Sequence, residues 1–169
     1  MVGMSDTPTQ DGTLEQWRLL LEQVEGRLKI QFEEVDGLDR KATTGLAATG
    51  VILGLVVNNV DSVIKSPDPV PLVFYSALIV LAAALVMGIY ALWPRKLWVV
   101  PEPTPLIAQH SAGRPEHTVG ELLSTKAAAY DLNVKLTDSK GDRVRVQMLL
   151  LAIGGALLVA AYVLERVVK

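Results

Sequence analysis

Three blocks of apolar residues dominate the chain: Ala42 to Val60, Pro71 to Trp93 and Val146 to Leu164. None contains a charged residue. A helix needs about 20 such residues to cross a hydrocarbon core of roughly 30 Å, and in lipid the backbone must satisfy its own polar groups. The pattern therefore predicts an all-α integral membrane protein with three transmembrane helices. A soluble bundle of three buried helices fits poorly, because such helices keep a polar face and the second block has none. The first block is the weakest. It carries Thr43, Thr44, Thr49, Asn58 and Asn59, so its insertion is expected to depend on its neighbours. Pro71 suits the first turn of the second helix, where a missing N–H costs nothing. Tyr90, Trp93 and Trp98 lie near its far end, where aromatic rings favour the interface.

Outside the blocks the pattern turns amphipathic. Leu14, Trp17, Leu21, Val24, Leu28, Val35 and Leu38 recur in steps of three and four, with Gln31 filling the one gap. That is a heptad seam, and Thr13 with Gln16 has the spacing of a capping box at its start. No proline interrupts Thr13 to Val60, and a helix of about 48 residues would be roughly 72 Å long. After Trp93 come Pro94, Pro101, Pro103 and Pro105, then a loop through Gly113 and Pro115. Thr118 and Glu121 repeat the capping spacing, and Leu123, Ala127, Tyr130 and Val134 form a second amphipathic face. Asp131 and Lys135 can pair at i,i+4, and Gly141 weakens the passage into the third span without having to break it. A bare seam would expose a hydrophobic strip, so it needs a partner. Spacing leaves two partners open, a second copy of the chain or this second helix, packed antiparallel to the first.

The predicted order is a disordered tail (1–12), a cytoplasmic amphipathic helix (13–41) and a transmembrane helix (42–60). An outer loop (61–69), a second transmembrane helix (71–93) and a Pro-rich cytoplasmic loop (94–117) follow. A second cytoplasmic amphipathic helix (118–142), the third transmembrane helix (146–164) and an outer tail (165–169) complete it. Residues 1–12 show no apolar signal-peptide core, and Val2 stands where myristoylation needs glycine.

Charge sets the orientation. With three spans, the N-terminal arm and the second loop share one side, which holds thirteen Lys and Arg against three on the other. The positive-inside rule places that side in the cytoplasm. Arg40, Lys41, Trp93, Arg95, Lys96, Arg143 and Arg145 are then the expected membrane-interface anchors. The formal net charge of −2 argues against nucleic acid as a partner. The absence of cysteine excludes disulfides, thiolate metal sites and thiol nucleophiles. His110 and His117 have only Glu116 adjacent, so no metal is expected. No catalytic signature is present, so neither enzyme activity nor a cofactor is predicted. A transporter is disfavoured because no ionisable residue lies within a span.

Gly50 and Gly54 form a GxxxG in the first span, and Gly154 and Gly155 supply a small face on the third, as Ala84 and Gly88 do on the second. Such faces let helices approach closely in lipid. They fit an oligomer or pore interface, and equally packing within one chain.

The sequence Leu38-Asp39-Arg40-Lys41-Ala42 closes the amphipathic helix directly before a small-residue span. Ala127-Ala128-Ala129-Tyr130, then Asn133 and Lys140, lead into the last span. This layout resembles the small bacterial transmembrane effectors of Pycsar antiphage systems and the related SLATT-type effectors. The resemblance implies an inner-membrane effector, driven to oligomerise or rearrange and impair the membrane. The trigger would be a cyclic pyrimidine mononucleotide made by a cognate cyclase on phage infection. It also implies that the nucleotide meets the helical stalks, where Arg27, Lys29, Lys126 and Lys135 offer charge. The competing expectation is a non-catalytic scaffold or accessory subunit that docks another membrane protein.

Overall fold

The computed structural model describes residues 10–57, 60, 63, 65–66, 69–93 and 115–168. Three helices run through them: α1 Gln10–Val57, α2 Val70–Leu92 and α3 Pro115–Val168. No strand occurs among the described residues. Each helix contains a stretch long and apolar enough to cross a membrane. Both long helices start before their expected caps. Gln10 precedes Thr13 and Pro115 precedes Thr118, so neither threonine begins a helix. Proline is tolerated in a first turn because its missing N–H would have no intrahelical acceptor. Gly141 does not interrupt α3, which is one helix of 54 residues that also takes in the expected outer tail as far as Val168.

The chain divides into two compact units. The first unit contains residues up to Glu34 together with Lys96–Thr137, and the second contains Val35–Arg95 and Asp138–Lys169.

In the first unit the early part of α1 packs on the early part of α3. Leu28 and Gln31 are buried, and Trp17, Leu21 and Val24 are half-buried, so the heptad seam faces inward. Gln31 Nε2 donates to the Tyr130 carbonyl at 3.3 Å, and Lys126 pairs with Glu25. Partner numbers rise together, from 25 with 126 to 31 with 130, so the two segments are parallel. The antiparallel expectation is therefore corrected. Both helices place their amphipathic half N-terminal to their apolar half, and helices that pair like half with like half must run the same way.

In the second unit α2 runs opposite to the other two. Its buried positions are Val70, Phe74, Ala77, Leu81, Ala84, Gly88 and Ala91, an unbroken alternation of four and three. Val56, Val63, Val70, Phe74 and Ala161 form one core cluster, and Ala42, Ala91 and Val144 form another. Here too α1 and α3 are parallel, with Asp39 paired to Lys140 and Ala42 bonded to Gln147. Small residues lie inside while Leu72, Ile79, Val86 and Val159 point outward, each more than 60% exposed. That distribution is inverted for water and right for lipid. In a bilayer, burying leucine gains nothing, and helices associate through close van der Waals packing of small residues. The hydroxyls of Thr43, Thr44, Thr49 and Ser76 each donate to the carbonyl four residues back, so they are satisfied without a partner helix.

Candidate functional site

Among the described residues two places concentrate polar chemistry, one in each unit. In the first unit a groove of about 560 Å³ lies along α1 and α3. Gln23, Arg27 and Ile30 of α1 and Tyr130 and Asp131 of α3 line it. Gly26 opens onto it, since a Cβ there would meet nothing within 4 Å. The groove offers a cation, a carboxylate, an amide and an aromatic ring over an apolar floor. Its volume falls in the range of small-ligand sites. Of the four expected cationic residues only Arg27 lines it. Lys126 is held by Glu25, and Lys29 and Lys135 lie exposed elsewhere.

In the second unit the polar centre is Gln147. It is fully buried, and Nε2 donates to the Ala42 carbonyl at 3.1 Å. Its amide fills a slot walled by two glycines. A Cβ on Gly45 would lie 2.7 Å from Nε2, and a Cβ on Gly88 would collide with the same amide and with Leu46. Oε1 is buried without a hydrogen-bond partner. One turn further along α1, Thr49 is also fully buried. Of these four positions the linear pattern marks only Gly88 as a packing residue. The usable signal was the seam itself. Continued past Leu38 in the same phase it reaches Ala42, Gly45, Thr49, Ile52 and Val56, which are all buried or half-buried.

The expected packing glycines divide. Gly154 is a close contact, where a Cβ would lie 2.7 Å from Leu81 Cγ. Gly50, Gly54 and Gly155 have nothing within 4 Å of a Cβ, so the reading of them as contacts within one chain is corrected. Gly50 and Gly54 are exposed and lie away from the seam of α1, and Gly155 is half-buried beside Gly154.

Among the expected anchors, Arg143 stacks its guanidinium 4.1 Å from the Tyr90 ring centroid and donates to Ser139 Oγ at 3.1 Å. Arg145 is exposed, 3.7 Å from Asp142, and Arg40, Lys41 and Trp93 are exposed as well. Lys140 reaches Asp39 Oδ1 at 2.6 Å. Of the seam residues, Val35 is buried and Leu38 is half-buried. His117 is exposed, with Nδ1 3.8 Å from Glu121. Glu165, expected in an outer tail, is buried and lines a mostly apolar cavity of about 280 Å³ with Ile52, Phe74 and Leu158. Arg95, Lys96, Asn58, Asn59, Trp98, His110 and the Pro-rich loop lie outside the described residues, as does the side chain of Leu14.

No curated protein and no solved structure matches this chain. A family model does match, that of the Pycsar effector protein domain, over residues 24–165. The match takes in the seam from Val24 onward, the groove except Gln23, the Gln147 slot and all three spans. These effectors are membrane proteins of antiphage defence and are of a non-enzymatic kind. With three apolar helices and a match over most of its length, this chain belongs to the Pycsar effector family, PycTM.

Proposed function

We propose that the chain impairs the bacterial inner membrane when a cyclic pyrimidine mononucleotide signals phage infection. In this reading residues 13–41 and 118–142 form cytoplasmic stalks and the outer loop faces away from the cytoplasm, as the Lys and Arg asymmetry favours. The observation that carries the reading is continuity: α1 and α3 each hold a stalk half and a span half on one unbroken helix. A ligand that prefers one stalk packing thereby biases the spans, which is a population shift between two arrangements of the same helices. The groove supports a nucleotide as that ligand. Arg27 suits its phosphate, the Tyr130 ring suits its base, and Gln23 and Asp131 offer hydrogen bonds to the base or ribose. Exposed Leu19, Leu20, Ile30 and Leu132 on the stalks support assembly into a homo-oligomer.

The test is phage challenge of cells carrying the chain with its neighbouring genes. Leu28→Glu puts a charge on a buried seam position, and Leu21→Glu does so on a half-buried one. Both are expected to abolish protection and the accompanying depolarisation while the protein still inserts. Intact protection with either variant would refute the stalk switch. Protection without any depolarisation of wild-type cells would favour the scaffold instead. Arg27→Ala is expected to raise the nucleotide concentration needed for depolarisation.

A further inference from the structure

The span unit is least satisfied at Gln147. Its buried carbonyl oxygen accepts no hydrogen bond, and neighbouring hydrocarbon offers it no donor. Around it lie Gly45 and Thr49 of α1 and Gly88 of α2, with the side chains of Leu46 and Met148 packed beside the two glycines. Val51, Leu55, Ile79 and Leu149 of the same helices are exposed. Polar side chains inside a membrane protein face either a bundle interior or a water-filled cavity. This set faces the interior in the packing described, with one acceptor left over.

We propose that Gly45, Thr49, Gly88 and Gln147 form the gate of an aqueous path for small ions. It is shut in the packing described, and it is hydrated when the three helices part. Water then supplies the donor that Gln147 Oε1 lacks, and the Thr49 hydroxyl and the Gln147 amide line the path. None of the four residues carries a charge, so the path discriminates weakly between cations and anions. Of the charges on the same helices, Arg143 is engaged by Tyr90 and Ser139 and Lys140 by Asp39, while Arg40, Lys41 and Arg145 are exposed. The proposal rests on the effector reading above and adds where the membrane opens.

The chain contains no cysteine, so single thiols can be placed in it without background. Gln147→Cys and Thr49→Cys put a thiol on the gate, and Val51→Cys puts one on an outward position that is 65% exposed. Each is expressed with the neighbouring genes. A water-soluble, membrane-impermeant methanethiosulfonate reagent is applied before infection and during the latent period, with membrane potential recorded in parallel. An open state of at most about 10% at rest that becomes dominant raises labelling at 147 and 49 about tenfold or more. Position 51, in hydrocarbon, stays unlabelled throughout. Depolarisation with 147 and 49 both silent would overturn the gate while leaving the effector reading intact. Equal labelling at 51 would also overturn it, by showing a general membrane defect. If wild-type cells never depolarise, the effector reading fails and the gate fails with it. Thr49→Cys changes little volume, so the test stands even if Gln147→Cys does not assemble.

Discussion

Gly154 and Gly155 are neighbours in one helix, and the fold treats them in opposite ways. A methyl at Gly155 meets nothing within 4 Å. One at Gly154 meets Leu81 Cγ at 2.7 Å and Cδ2 at 2.8 Å. Leu81 is itself fully buried, so its side chain has no open space into which to turn. Alanine in place of glycine favours a helix by about 0.5–1 kcal/mol at either site. At Gly154 that gain is set against overpacking, which costs roughly 1–3 kcal/mol. Gly155→Ala is therefore expected to be neutral or stabilising, and Gly154→Ala to be less stable than it by about 1–3 kcal/mol. Leu81→Ala alone opens a cavity and costs about 2–5 kcal/mol. Combined with Gly154→Ala it should cost less than the two single changes together, because the added methyl enters the space vacated. The expected coupling is about 0.5–3 kcal/mol. SDS titration of the protein in mild-detergent micelles, followed by circular dichroism, measures all four. Equal midpoints for the two alanine variants, or additive double-mutant energies, would show that α2 and α3 do not meet at this level.

Two further outcomes follow from polar contacts. Asp39 and Lys140 form a partly exposed pair, so a double-mutant cycle with Asp39→Asn and Lys140→Gln should give a coupling of about 0.5–1 kcal/mol that shrinks as salt is added; zero coupling at low salt would show the pair to be absent in solution. Gln31→Leu removes a buried amide whose Oε1 has no partner, so the full chain should unfold within about 1 kcal/mol of wild type, and a much larger loss would show that this amide holds the stalks together.

On α1 the buried and half-buried positions keep one phase from Leu28 through Gln31, Val35, Leu38, Ala42, Gly45 and Thr49. The residues change from large and apolar to small and polar as the helix passes from amphipathic to apolar surroundings. Within each unit that face is covered, by hydrophobic burial at Leu28 in the first and by close approach at Ala42 and Gly45 in the second.

The three spans, their helical character and the stalk seam were legible in the linear pattern. Length without charge dictates a membrane helix, and a period of three and four dictates a contact face. Gln31 in the gap of the seam even marked the level at which α1 meets Tyr130. The direction of the stalks and the identity of the contact glycines were decided only in three dimensions. Gly50 and Gly54 have the familiar spacing yet lie away from the seam, whereas Gly45 and Gly88 are contact positions because the Gln147 amide packs against both. Where both the inside of a bundle and its surroundings are apolar, hydrophobicity no longer separates a buried face from an exposed one. The phase of each helix against its neighbours makes that choice, and phase is a property of the packed helices rather than of any one segment.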